Sequence, residues 1–208
     1  MRPLLALLFA SVLLRGCALP GDTLGVDDTT LITVDAEIPI TAELPPLAVS
    51  PSDREISYAF TVVIPVDVIA ELEKRGRKKS ARTLRAQGEK LVAVALNAVE
   101  YEILAPNNLP VAIEPVRVYI APEGVATPDA SAREIGQTDV IQPHEVVERR
   151  SVVLTSTGLP DASIELTSLK FSLLFDAALR VPRAQSVPAK ALRAKIRLRL
   201  TARVDLAG

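Results

Sequence analysis

The sequence predicts a mainly β protein: an antiparallel, immunoglobulin-like β-sandwich with a short helical excursion near residues 67–88. Three observations predict it. Apolar residues recur at every second position through several runs, the pattern of half-buried strands. Prolines 39, 65, 115, 122, 143, 160, 182 and 188 fall at or near the ends of such runs. A residue without an N–H punctuates strands there and blunts sheet edges. The 208-residue chain is 49% hydrophobic and 24% charged, which is enough apolar material for one buried core and too much for a disordered chain.

The first segment reads as an address. Residues 1–16, MRPLLALLFASVLLRG, place Arg2 before an apolar run from Leu4 to Leu14. That run falls short of the roughly 20 residues needed to span a bilayer and suits the hydrophobic stretch of a signal peptide. Leu14-Arg15-Gly16-Cys17 follows, with Leu at −3, a small residue at −1 and the only cysteine of the chain. This run resembles the lipobox of bacterial lipoproteins. The resemblance implies cleavage before Cys17, diacylglycerol on its thiol and, with Ala18 next, the outer membrane rather than the inner. Two or more acyl chains anchor stably where one does not. Gly16 and Ala18 would also serve ordinary cleavage after Ala18, and an uncleaved apolar segment with an incidental cysteine is the third alternative. Residues 17–28 hold Pro20, Gly21, Asp22, Gly25, Asp27 and Asp28 and read as a tether reaching about 18 Å on random-coil scaling. The expected organisation is therefore a signal peptide at 1–16, a lipidated tether at 17–28 and one sandwich domain at 29–208.

Within that domain Ile32, Val34, Ala36 and Ile38 alternate with Asp35 and Glu37, and Ile56, Tyr58, Phe60, Val62 and Ile64 share a second face. Residues 67–74 look helical: Asp67 is placed to cap, Val68, Ile69 and Leu72 share a face, and Gly76 is placed to stop the helix. A second short helix is expected around Ser80–Gln87. Strand character resumes over 91–104, with Val99, Tyr101 and Ile103 on one face, and again at Val116, Val118 and Ile120. Residues 96–104 echo 166–174 class for class at most positions. A duplicated half-sandwich would explain this, and so would strand patterning alone, because period-two segments converge easily. Opposite charges at Glu100 and Lys170 would suit neighbouring strands. The run Ala105-Pro106-Asn107-Asn108-Leu109-Pro110-Val111-Ala112-Ile113, set within residues 96–120, resembles the turn of late-embryogenesis-abundant type 2 (water-stress and hypersensitive response) domains and of various envelope lipoproteins. That resemblance implies a β-sandwich and carries little chemistry. In it Asn107 and Asn108 are expected to tolerate left-handed geometry, and Pro110 to restart a strand.

Composition excludes most chemistries. One His and one Cys cannot build a Cys/His zinc site, and no Asp-x-Asp-x-Asp run offers calcium ligands. His144, beside Glu145 and Glu148, reads as a loop histidine. No Gly-x-Ser-x-Gly elbow, Ser-x-x-Lys pair or glycine-rich phosphate loop occurs, so no catalytic residue and no cofactor is expected. A carboxylate pair assembled only in space would escape a reading of this kind. Aromatics are 3% of the chain, which argues against stacked sugars or nucleic acid.

Charge is the feature with structure. Residues 17–70 carry nine acidic residues and one basic, Arg54. Residues 71–90 carry eight basic residues. Six of them, Lys74, Arg77, Lys78, Lys79, Arg82 and Arg85, are the candidate contact with an anionic surface, with Lys74, Lys78, Arg82 and Arg85 along one face if the segment is a continuous helix. From 192 to 204 even positions are apolar, while Arg193, Lys195, Arg197, Arg199 and Arg203 face the other way, about 7 Å apart on a strand. Such a row binds anions, or pairs with acidic residues on an adjacent strand. The sequence thus points to a lipid-anchored protein of the cell envelope, outer membrane and periplasm, non-catalytic, a structural or interaction module. Its expected partners are the membrane through its anchor and an envelope protein or anionic lipid, not nucleic acid. The alternatives are an envelope hydrolase with a spatially assembled carboxylate site, or a sandwich that binds an apolar ligand or lipid.

Overall fold

The computed structural model describes residues 29–44, 46–48, 55–86, 91–155, 166–187 and 190–205. The signal peptide, Cys17, the tether to residue 28, Gln87, Pro160 and Pro188 lie outside the described residues. The elements follow in the order β1 (Thr29–Leu44), β2 (Leu47–Ala48), β3 (Ile56–Asp67), α1 (Val68–Lys74), α2 (Lys78–Ala86), β4 (Leu91–Ile103), β5 (Arg117–Pro122), β6 (Arg133–Gln137), β7 (Val147–Ser151), β8 (Val153–Leu154), β9 (Lys170–Val181), β10 (Ser186–Val187) and β11 (Lys190–Asp205). Two antiparallel sheets, in strand orders β1-β11-β4-β7 and β3-β9-β5-β6-β8, pack as a β-sandwich, and β2 with β10 forms a small third ladder.

The sandwich follows from the alternation. Val34, Ala36 and Ile38 on β1, Val99, Tyr101 and Ile103 on β4, and Ile196, Leu198 and Leu200 on β11 are buried and enter one core. Val118 and Ile120 on β5 and Phe171 and Leu173 on β9 meet them from the second sheet. On β4 the inward phase changes from Val94 and Leu96 to Val99, because a bulge intervenes. Arg199 pairs with Ala98 and Leu200 with Leu96, leaving Asn97 over. The Asn97 side-chain amide donates to Thr201 Oγ1 at 2.6 Å.

The main strands are longer than the punctuation predicts. β1 and β11 run 16 residues and β4 runs 13. Pro39 stands inside β1 and Pro65 inside β3 rather than at strand ends. Both are edge strands, where half the N–H groups point away from the ladder and a proline is accommodated. The expected pairing of Glu100 with Lys170 is not formed. β4 and β9 belong to different sheets, Lys170 pairs with Asp67, and 167–169 form a turn and bend rather than strand. The 105–113 run also differs. Left-handed backbone occurs at His144, Leu169 and Ala184 instead. Asn107 is buried and acts through its side chain, accepting from the Leu109 N–H at 3.1 Å and donating to the Glu145 carbonyl at 2.8 Å. After Pro110 the chain makes only isolated bridges, from Ile113 to Ile141 and Leu179.

The helical excursion forms two helices. Asp67 caps α1, its carboxylate accepting from the Ala70 N–H at 2.9 Å. Gly76, at φ 72°, takes the left-handed turn that ends it, and the Arg77 N–H returns to the Leu72 carbonyl at 2.9 Å. Val68 and Leu72 of α1 and Ala81 and Leu84 of α2 reach the core, which leaves the basic side chains outward. Glycine matters once more at Gly136 on β6, where an added Cβ would stand 2.3 Å from the Val153 carbonyl oxygen of the paired strand β8.

Candidate functional site

The cationic row on β11 is built by register. β11 lies between β1 and β4, so Arg197 stands opposite Glu37 on one side and Glu100 on the other, Arg199 opposite Asp35, and Lys195 opposite Glu102. Arg197 Nε meets Glu37 at 3.2 Å and its Nη2 meets Glu102 at 2.9 Å. Lys195 bridges the same two carboxylates at 3.4 and 3.7 Å, and Arg199 holds Asp35 at 3.0 Å. Arg149 on β7 extends the lattice to Glu100 at 3.7 Å, and Arg75, just past α1, donates to the Glu37 main-chain carbonyl at 2.7 Å. Asp35, Glu37 and Glu100 line a shallow groove together with Arg75, Arg149, Arg197 and Arg199. Burial alone would lift the Glu37 carboxyl, but the Lys195 hydrogen bond and the Arg197 charge override it and hold Glu37 below the ordinary carboxylate range. A general acid needs the opposite shift.

The helical pair forms a second charged region. Lys74 is bound to Glu71 at 2.5 Å and Arg85 to Glu73 at 2.8 Å. Arg77, Lys78, Lys79 and Arg82 are exposed and have no ion pair among the described residues. The helices lead to one end of the four-stranded sheet, because Ala86 and Leu91 are five residues apart and hence within about 18 Å. At that end Thr29 pairs with Asp205 and Leu91 with Val204, so the start of β1, the start of β4 and the end of β11 coincide. Two apolar side chains stand in water there: Leu31 is 68% exposed and Val92, left over at a second bulge, 54%.

Between the sheets toward the opposite end lies an apolar cavity of about 70 Å³. Ile40, Phe60, Val62, Tyr101, Phe175 and Ala177 are among its lining residues. Ile40, Phe60 and Val62 are only partly buried, so the cavity opens between the edge strands β1 and β3. Thr138 also lines it, but its hydroxyl is satisfied, accepting from the Val116 N–H and donating to the Asp139 carbonyl. The Tyr101 hydroxyl is buried without a well-directed hydrogen bond among the described residues; Arg150 and the Asp139 backbone lie near it, and burial pushes its pKa up. Pockets for drug-sized ligands run to about 300–1,000 Å³, so this volume takes a chain end rather than a lipid.

No protein-family model matches the chain, and no curated protein sequence matches it. Among solved structures, one from desmodium yellow mottle tymovirus aligns over 100% of this chain and 98% of its own, at 13% identity and a TM-score of 0.31.

Cys17 lies outside the described residues. Of the six basic candidates, the structure separates Lys74 from the others: it ends α1, and residues 75–77 intervene before α2. Lys78, Arg82 and Arg85 remain at helical spacing on α2, with Lys79 beside them and Arg77 at its start, where the Arg77 carbonyl accepts from the Ala81 N–H at 3.1 Å. Lys195, Arg197 and Arg199 of the β11 row are paired with acids of the two neighbouring strands, as the second of its two sequence readings had it. Arg193 instead donates to the Ala105 carbonyl. His144 is an exposed loop residue at φ 59°, its Nδ1 3.3 Å from the Asn107 carbonyl. Among the described residues no group of three or more His, Cys, Asp or Glu is gathered to hold a metal ion, and no helix is long and apolar enough to cross a membrane. Sequence reasoning missed Arg75, Arg149 and Glu102. The alternation of Glu100 and Glu102 along β4 was the available signal, but only the strand order shows which cations they face.

Proposed function

We propose that this is a lipid-anchored, non-catalytic structural or interaction module of the cell envelope, held by Cys17 to the outer membrane rather than the inner. The sandwich is read as immunoglobulin-like in the broad sense of two packed antiparallel sheets. The observation that carries the non-catalytic reading is the state of the carboxylates. Asp35, Glu37, Glu100 and Glu102, the acids gathered around the charged groove, are each bound to an Arg or Lys, which favours a rigid charged face over a hydrolytic pair. The apolar cavity supports the lipid-carrying alternative less, because it holds about 70 Å³. The anchor rests on the Leu14–Cys17 run. Labelled palmitate is expected to enter the wild-type chain and not Cys17→Ala, and the variant to leave the membrane fraction or persist as precursor. Label retained in the variant, or a mature chain beginning at Leu19, overturns the anchor.

A further inference from the structure

We infer that the α2 end of the sandwich is a docking surface for anionic lipid headgroups and sets the orientation of the whole domain on its membrane; this rests on the lipid-anchor reading above. Four observations meet at one place. Arg77, Lys78, Lys79 and Arg82 are exposed cations without an ion pair among the described residues, whereas Lys74 and Arg85 are neutralised by Glu71 and Glu73. α2 is turned so that Ala81 and Leu84 are buried, which commits its remaining surface, the cationic one, to the outside. Leu31 and Val92 add exposed apolar side chains near the same end, suited to the boundary between headgroups and acyl chains. Finally, Thr29, the first described residue, stands at this end, and the twelve residues back to Cys17 span at most about 43 Å. The anchor therefore delivers this end, rather than the opposite one, to the bilayer.

The chemistry selects headgroups carrying phosphate or another net negative charge. Each Lys or Arg near an anionic membrane strengthens attraction about fivefold, and the effect is screened within a Debye length. Four uncompensated cations are enough to choose among orientations of a domain already held close. The middle of the β11 row does not compete, because Lys195, Arg197 and Arg199 are neutralised within the sheet, and Arg193 stands toward the opposite end on the Ala105 carbonyl. In this orientation the four-stranded sheet rises from the membrane, and the mouth of the apolar cavity lies in the half of the sandwich away from it.

The test uses the full acylated chain reconstituted in vesicles. Cys17 is the only cysteine, so acylation leaves no thiol, and Val92→Cys or Thr41→Cys provides a single site for a fluorescent dye. Thr41 pairs with Arg193, and Val92 adjoins the Arg203–Val204 step, so the two dyes are about 33 Å apart along β11. Nitroxide-headgroup lipids serve as quencher, in phosphatidylcholine vesicles with or without phosphatidylglycerol. With the anionic lipid, quenching at residue 92 is expected to exceed that at 41 at least fivefold. The ratio should fall toward one in about 1 M salt, where the Debye length is about 3 Å. It should fall likewise when Arg77, Lys78, Lys79 and Arg82 are all replaced by Gln, with the melting temperature unchanged. Equal quenching at both positions, or a ratio indifferent to the four changes or to the anionic lipid, overturns the docking surface. An intact mass without acyl groups, or dye uptake by the chain with no added cysteine, overturns the anchor itself and the orientation that depends on it.

Discussion

Arg197 shows why a charged residue on a strand cannot be valued from its sequence position. Strict alternation from Leu192 to Val204 assigns it to the outer face, where truncating an exposed arginine costs under about 1 kcal/mol. Its side chain is in fact 27% exposed and reaches Glu37 and the still more buried Glu102 at once. Removing it leaves two carboxylates short of a partner, and the loss rises because the groups left behind are partly desolvated. Arg197→Ala is therefore expected to destabilise by about 1–2 kcal/mol in chemical denaturation, and Arg199→Ala, whose pair with Asp35 is well exposed, by less than about 1 kcal/mol. Equal losses would mean that the lattice adds nothing beyond surface pairs. The same lattice fixes the acid response. Glu37 titrates below its ordinary 4.5 in the folded chain, so its contribution is complete above that value and disappears as pH falls through the lower folded one. Asp67, held down against its own burial by the Ala70 N–H and by Lys170, adds to the same trend from 3.8 downward. Stability should thus decline below about pH 5, and Glu37→Gln should flatten that slope in melting curves taken across the acid range.

At the scale of elements, what was legible in the sequence was periodicity, and what was not was adjacency. The inward positions of β11, the cap at Asp67 and the stop at Gly76 follow from local rules, so they could be read without partners. Pro39 and Pro65 could not be placed, because a proline ends a central strand but sits inside an edge strand, and edges are defined by neighbours. The likeness of 96–104 to 166–174 shows how little address a period-two pattern carries: one copy runs to the end of β4, while the other begins before the turn at 167–169 and continues into β9 of the opposite sheet. The intersheet cavity was invisible for a third reason. It arises where Ala177 on β9 faces β11 and β1 across the core, and packing volume is a property of both sheets together. At about 24 cal/mol per Å³, 70 Å³ of unfilled apolar space costs at most about 1.7 kcal/mol. Ala177→Val adds two methyl groups, favours strand geometry and should raise stability by up to about 1 kcal/mol. A loss of 1–3 kcal/mol, the usual result of overpacking, would show that the space is not available to a side chain.

For the whole molecule, the decisive feature is that the first and last long strands are neighbours. β1 and β11 pair in register from Thr29 with Asp205 to Leu44 with Lys190, and β11 is also the strand that joins β1 to β4. β1 therefore has no sheet until the last residues of the chain are in place. Pairing across so long a sequence separation must meet its loop-closure entropy before any contact offsets it, which places folding in the slow, millisecond-to-second range of β-rich proteins. It also makes the core indivisible. Leu192, Ile196, Leu198, Leu200 and Val204 are all buried on β11, and at about 1.5–3 kcal/mol each their removal is comparable to the roughly 5–15 kcal/mol that holds a typical domain together. A chain ending at Val187 keeps both helices and all five strands of the second sheet, yet it should show no cooperative thermal transition, while the intact chain from Cys17 to Gly208 melts in one. Calorimetry decides between this and a modular build. A cooperative peak surviving in the shortened chain, or two separable peaks in the intact one, would mean that the five-stranded sheet with its helices folds without β11 and that residues 29–208 are not a single unit.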